Sequence, residues 1–149
     1  MVIAGSDSTA ASIIHVVDVV SRNPILQRKI QQEIDEAFPG KPDAEWIPKS
    51  SETTVLTLTK AVLYETLRLR PTAAIGFERI VTRPGTVFGG FKLPPGTAIS
   101  VPTYSIQRNT DVYPDPEAFV PERWLAEDAS QQHKSFNVFS TGPRSCIGQ

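Results

Sequence analysis

Nine of the chain's 13 prolines fall between Pro71 and Pro143. Proline fixes φ and removes a backbone donor, so a stretch so densely punctuated cannot sustain long helices or central strands. The first 70 residues hold only Pro24, Pro39, Pro42 and Pro48. The chain therefore reads in two textures: helical over 1–70, and short strands, turns and irregular coil over 71–149. That makes it mainly α with a small β region, an α+β class. No repeat, low-complexity tract or linker divides the 149 residues, so 1–149 reads as a single unit.

Ile13, Ile14, Val16, Val17, Val19 and Val20 form a dense apolar run within residues 4–22, which predicts a deeply buried helix. Asn23-Pro24 breaks it, with Pro24 placed to open a second helix. From Pro24 to Phe38, Ile25, Leu26, Ile30, Ile34 and Phe38 recur at helical spacing against polar Gln27, Arg28, Gln31, Gln32 and Glu33, an amphipathic surface helix. Phe38-Pro-Gly-Lys-Pro stops it, and 45–51 reads as an exposed loop. A third helix is expected from Glu52 or Thr53 to Arg70, ended by Pro71 because the residue before proline resists the α region. Beyond it, 75–83 and 86–100 read as strands, with Leu93-Pro-Pro-Gly-Thr as a hairpin turn.

A net charge of −1 gives no sign of nucleic-acid binding. No run of about 18 apolar residues is present, and the start lacks the basic and long apolar regions of a signal peptide. Chemistry therefore centres on the single cysteine, Cys146. Structural zinc needs further Cys or His ligands nearby, and the only histidines are His15 and His133. One cysteine cannot form an intramolecular disulfide, and no local signature marks a nucleophile. An inert thiol and an iron ligand both stay open on these grounds. Arg144 offers a fork of donors for a carboxylate, and Phe139 an aromatic wall.

Phe139, Gly142, Arg144, Cys146 and Gly148 spell Phe-x-x-Gly-x-Arg-x-Cys-x-Gly, which resembles the haem-binding loop of the cytochrome P-450 family. Three further motifs resemble the same family in its order. Glu65-Thr-Leu-Arg68, followed by Leu69 and Pro71, resembles its K helix. Val120-Pro-Glu-Arg-Trp124 resembles its Pro-Glu-Arg-Phe segment, with Trp124 at the commoner Phe position. Ala4-Gly-Ser-Asp-Ser-Thr9 resembles the I-helix motif over the distal haem face, with Ser8 where Thr is usual. Taken alone, that last cluster would read as a helix N-cap.

The resemblance implies a partial cytochrome P-450 domain of the fungal or other eukaryotic class, from the middle of the I helix to the cysteine loop, in a family about three times longer. It implies haem bound through the Cys146 thiolate, with Arg144 and Arg79 contacting propionates. Gly142 and Gly148 would let the loop approach the porphyrin. Glu65, Arg68 and Arg123 would form a buried charge network that locks the loop. Asp7, Ser8 and Thr9 would serve proton delivery to O2, with Gly5 opening the helical ladder. The segment 72–77 would contact substrate. The implied activity is a monooxygenase inserting one atom of O2 into a small organic, aromatic or otherwise hydrophobic substrate, with NADPH-derived electrons from a cytochrome P-450 reductase. The parent enzyme would be anchored at the endoplasmic reticulum, with no anchor in this chain.

Two other readings are carried. The polypeptide as it stands is a partial gene product unable to hold haem stably, with apolar faces lacking their partners. Or the family chemistry is an isomerase or dehydratase action on peroxides without external electrons, which Asp7 and Ser8 weigh against.

Overall fold

The computed structural model describes residues 2–40 and 46–148, with side chains from Ala4 onward. The helical half contains α1 (Val2–Ser21), α2 (Pro24–Ala37) and α3 (Thr57–Leu69). The second half contains only two-to-three-residue strands and short helical turns: β1 (Arg79–Ile80), β2 (Thr86–Phe88), β3 (Phe91–Leu93), β4 (Ala98–Ile99), α4 (Thr103–Ile106) and α5 (Ser130–Ser135). The proline distribution thus separates the textures where the structure does. No helix among the described residues is long and apolar enough to cross a membrane.

Asn23 caps α2, its side chain accepting from the Leu26 N–H at 3.1 Å, and Pro24 occupies the first turn, where a missing donor costs nothing. The third helix starts later than its sequence suggests. Residues Glu52–Val55 form a 3-10 turn, Leu56 leaves helical geometry at φ −80° and ψ 74°, and α3 begins at Thr57. Leu56 has no side chain able to cap. Glu33 of α2 does it instead, accepting from the N–H of Leu58 (2.6 Å) and Thr59 (2.9 Å) and from the Thr59 hydroxyl (2.7 Å). A carboxylate at a helix N-terminus also complements the macrodipole. Burial pushes the Glu33 carboxyl up, but these bonds outweigh it and hold it below its ordinary value.

At the other end of α3, Arg70 reaches Asp18 of α1 at 2.8 Å, alongside Arg22 on the same carboxylate, tying the two helix ends together. Deep burial of α1 is not observed: Ile13, Ile14 and Val17 are 58%, 64% and 59% exposed. Among the described elements, only α2 and α3 pack on α1 closely, and they cover one side of it.

The four strands form two separate antiparallel pairs, β1 with β4 and β2 with β3. The β2–β3 hairpin turns at Gly89-Gly90, both at positive φ as a two-residue primed turn requires. The expected turn at 93–97 instead carries the chain from one pair to the other, its Gly96 N–H bonded to Val81 O at 2.8 Å. Residues 41–45, which include the start of the expected loop at 45–51, lie outside the described residues. Packing concentrates around Ala61, Tyr113 and Trp124, with Tyr64, Val112 and Phe136 against them.

Candidate functional site: a buried carboxylate network and an exposed cysteine loop

Helical spacing puts Glu65 and Arg68 on one face of α3, and both side chains are fully buried. Arg68 grips the carboxylate with two donors, Nε to Oε2 at 2.8 Å and Nη2 to Oε1 at 2.9 Å. From the 3-10 turn Pro121–Trp124, Arg123 Nε adds a bond to Oε1 at 3.0 Å. The structure therefore brings Glu65, Arg68 and Arg123 into one cluster, as the resemblance implied. Two further donors complete the carboxylate: the Val120 N–H to Oε1 and the Trp124 indole N–H to Oε2, each at 2.9 Å.

The other donors of Arg68 reach the carbonyls of Pro116 (2.7 Å), Gln107 (2.8 Å) and Ala118 (3.1 Å). Arg123 Nη1 reaches the Pro114 carbonyl at 3.1 Å. One ion pair thus satisfies the backbone of a coil that has no sheet to satisfy it. Burial pushes the Glu65 carboxyl up. The bonds from Arg68, Val120 and Trp124, with the Arg68 charge, outweigh it and hold the group below its ordinary value. Tyr113, whose ring lies 5.1 Å from the Arg68 guanidinium, is pushed up to about 12, chiefly by burial.

Sequence reasoning left Trp124 out of the network. A signal was present: an indole in a buried segment needs an acceptor for its N–H, and Glu65 was the nearest carboxylate in the scheme. The backbone acceptors at Gln107, Pro116 and Ala118 had no comparable signal, because a carbonyl is present at every position.

Around Cys146 the geometry is the reverse. Residues 141–148 are all exposed, and the thiol is free. The Cys146 N–H donates to the Phe139 carbonyl at 2.8 Å, closing a loop around the 3-10 turn Gly142–Arg144. Gly142 sits at φ +72°, and a Cβ there would meet nothing within 4 Å, so it serves backbone conformation rather than close packing. At Gly148 a Cβ would touch only Cys146 Sγ, at an ordinary 3.8 Å. Phe139 is half-buried, its ring 6.2 Å from that of Phe136. Arg144 is exposed and makes no hydrogen bond or ion pair among the described residues.

Beside this loop lies a cleft of about 520 Å³. Phe77, Arg79 and Phe88 line it together with Val138, Ser140 and Thr141. Arg79 is exposed, its Nη1 donating to the Glu78 carbonyl at 2.9 Å, which leaves most of its guanidinium donors free. Gly76 lines the cleft at φ +73°, where a Cβ would collide with the Val101 carbonyl oxygen. A largely apolar cleft with a mostly free guanidinium suits a flat apolar ring with anionic edge groups, and Cys146, on the loop whose Ser140 and Thr141 line that cleft, is a soft sulfur donor of the kind iron takes. Cys146 would hold the iron, and Arg79 and Arg144 the carboxylates.

Asp7, Ser8 and Thr9 are exposed on α1. They lie inside the helix rather than at its start, so the N-cap reading does not apply. Ser8 Oγ donates to the Ala4 carbonyl at 2.8 Å, bonding back one turn. The helix runs unbroken through Gly5, so the expected opening of its ladder is not observed. No hydrogen bond or ion pair among the described residues joins α1 to the Cys146 loop.

The family model described as Cytochrome P450 matches residues 1–149, and the chain belongs to that family. It is 37% identical to the cytochrome P450 monooxygenase traB of Penicillium crustosum over 98% of this chain and 29% of that protein. To the benzoate 4-monooxygenase bphA of Aspergillus niger it is 35% identical, over 99% of this chain and 29% of that protein. A zebrafish cytochrome P450 solved with progesterone superposes with a TM-score of 0.84 at 31% identity, covering 98% of this chain and 32% of that one. The chain thus spans less than a third of the length of the relatives it matches. Haem is the cofactor that the family implies.

Proposed function

We propose that this chain supplies the thiolate ligand and its supporting network to a monooxygenase that oxidises a small apolar substrate. The observation that carries the reading is Cys146, a free exposed thiol on the loop whose Ser140 and Thr141 line the cleft together with Phe77 and Arg79. Haem bound there supplies the redox chemistry in which O2, two electrons and two protons yield one hydroxylated product and one water. Electrons come from NADPH through a reductase partner. In this scheme Cys146 holds the cofactor and Arg79 and Arg144 orient it. Asp7 and Ser8, both exposed on α1, supply the acid and the hydroxyl that proton delivery to O2 requires. That proton route favours monooxygenation over peroxide isomerisation, which needs none.

An aromatic substrate is supported by the likeness to the benzoate 4-monooxygenase. Hemin titrated into the chain tests the first step. The expected result is a thiolate-ligated spectrum at high protein concentration, weakened by dilution and absent in Cys146→Ser. An identical spectrum in that variant would refute the assignment. For the substrate, oxidation of benzoate by a full-length enzyme carrying this segment supports the aromatic reading, and turnover without a reductase refutes the electron route.

A further inference from the structure

We propose that Trp124 is a positioning residue for the Cys146 loop, acting through a file of rings that begins at the Glu65 carboxylate. The inference rests on the Cys146 loop being the ligand-bearing loop, and it concerns a contact the cofactor does not make. The indole is fixed at two points. Its N–H donates to Glu65 Oε2 at 2.9 Å in a fully buried pair. Its faces and edges meet Tyr64 at 5.4 Å and Phe136 at 5.2 Å, both edge-on.

Phe136 hands the order onward: its ring meets that of Phe139 edge-on at 6.2 Å. The Phe139 carbonyl then accepts the Cys146 N–H at 2.8 Å. The file runs from the buried core to an otherwise exposed loop, and Tyr64 also meets Phe136 directly at 5.0 Å, so Trp124 and Tyr64 hold Phe136 together. Edge-to-face pairs have preferred orientations, so the tilt of one ring constrains the next. A hydrogen bond to a charged acceptor sets the indole's tilt in a way that a phenyl ring, with no donor, cannot. Trp at the position where Phe is commoner therefore couples the loop to the charge network instead of merely filling space.

Hydrogen exchange on the full chain without haem separates this from a purely structural role. The amide of Cys146 opens locally, whereas those of Val62 and Thr66, buried in α3, report wider unfolding. In Trp124→Phe the Cys146 amide is expected to exchange about tenfold faster. Phe136→Leu leaves the Trp124–Glu65 bond in place and cuts the file one ring later. It is expected to speed the Cys146 amide while leaving Val62 and Thr66 unchanged. Should Trp124→Phe not fold, Phe136→Leu alone decides. A Cys146 amide within about twofold of the parent in the folded variants, whatever happens in α3, overturns the proposal. Loss of the thiolate spectrum in the hemin titration would instead count against the haem reading, leaving this result intact.

Discussion

The surroundings of Glu65 and those of Cys146 differ in how many constraints each carries. Glu65 is fully buried and receives five donors from four residues. Cys146 is exposed, in a stretch exposed throughout, and its recorded hydrogen bond is the one from its N–H to Phe139. The sulfur proposed as the iron ligand sits on the less determined of the two, and the more determined one is built from buried ion pairs and hydrogen bonds. Irregular coil cannot stabilise itself through ladders, so a buried ion pair takes over that role and the loop inherits what order reaches it.

Substitutions at each region should expose that contrast. Glu65→Ala strands two guanidiniums, one fully buried, and is expected to cost about 3–5 kcal/mol in denaturant unfolding. A cost below about 1 kcal/mol would show the network to be screened rather than structural. Trp124→Phe removes one bond to the same charge and is expected to cost about 1.5–3 kcal/mol, read from the shift in the urea midpoint.

Gly76→Ala probes the boundary between the regions. The new Cβ would meet the Val101 carbonyl, and overpacking of this kind costs about 1–3 kcal/mol. The cleft should widen or close, which the affinity for hemin would register. An unchanged melting temperature would mean that the 73–77 segment yields freely.

Acid sharpens the comparison further. The Glu65 carboxyl lies below its ordinary 4.5 in the folded chain, so the unfolded chain binds the proton more tightly. Its contribution is fully present above that ordinary value and is lost as pH falls through the lower, folded one. Stability should therefore drop on acidification, and Glu65→Gln should flatten the slope. The slope would not vanish, because Glu33 and Asp18 are also lowered. A slope unaltered by Glu65→Gln would place the acid sensitivity at those two carboxylates. The smallest effect belongs to Arg79→Ala and Arg144→Ala. Both side chains are exposed and without ion pairs, so each should move stability by no more than about 0.5 kcal/mol while weakening hemin binding in the titration.

Much of this was legible beforehand, and unevenly. Helix existence followed from the spacing of Ile25, Leu26, Ile30 and Ile34 and from the Asn23-Pro24 cap. The start of α3 did not, because its cap is Glu33, a residue on another helix whose role depends on the two helices meeting. Turn residues are densest at Pro94-Pro95-Gly96, but the pairing of β2 with β3 puts the hairpin turn at Gly89-Gly90. The dense run Ile13–Val20 forms a helix, as periodicity predicts. How deeply it is buried depends on which neighbours cover it, and apolar content carries no record of that.

By itself the sequence determined the family, the identity of the sulfur ligand the resemblance implies, and the division into helical and proline-rich halves. Motif spacing and proline chemistry act along the chain and need no partner. Only the tertiary structure decided that Glu65 also takes donors from Val120 and Trp124, and that Gly76 lies under the Val101 carbonyl. Those contacts join residues up to 59 positions apart, and hydrogen-bond geometry at that separation exists only once the chain has closed on itself.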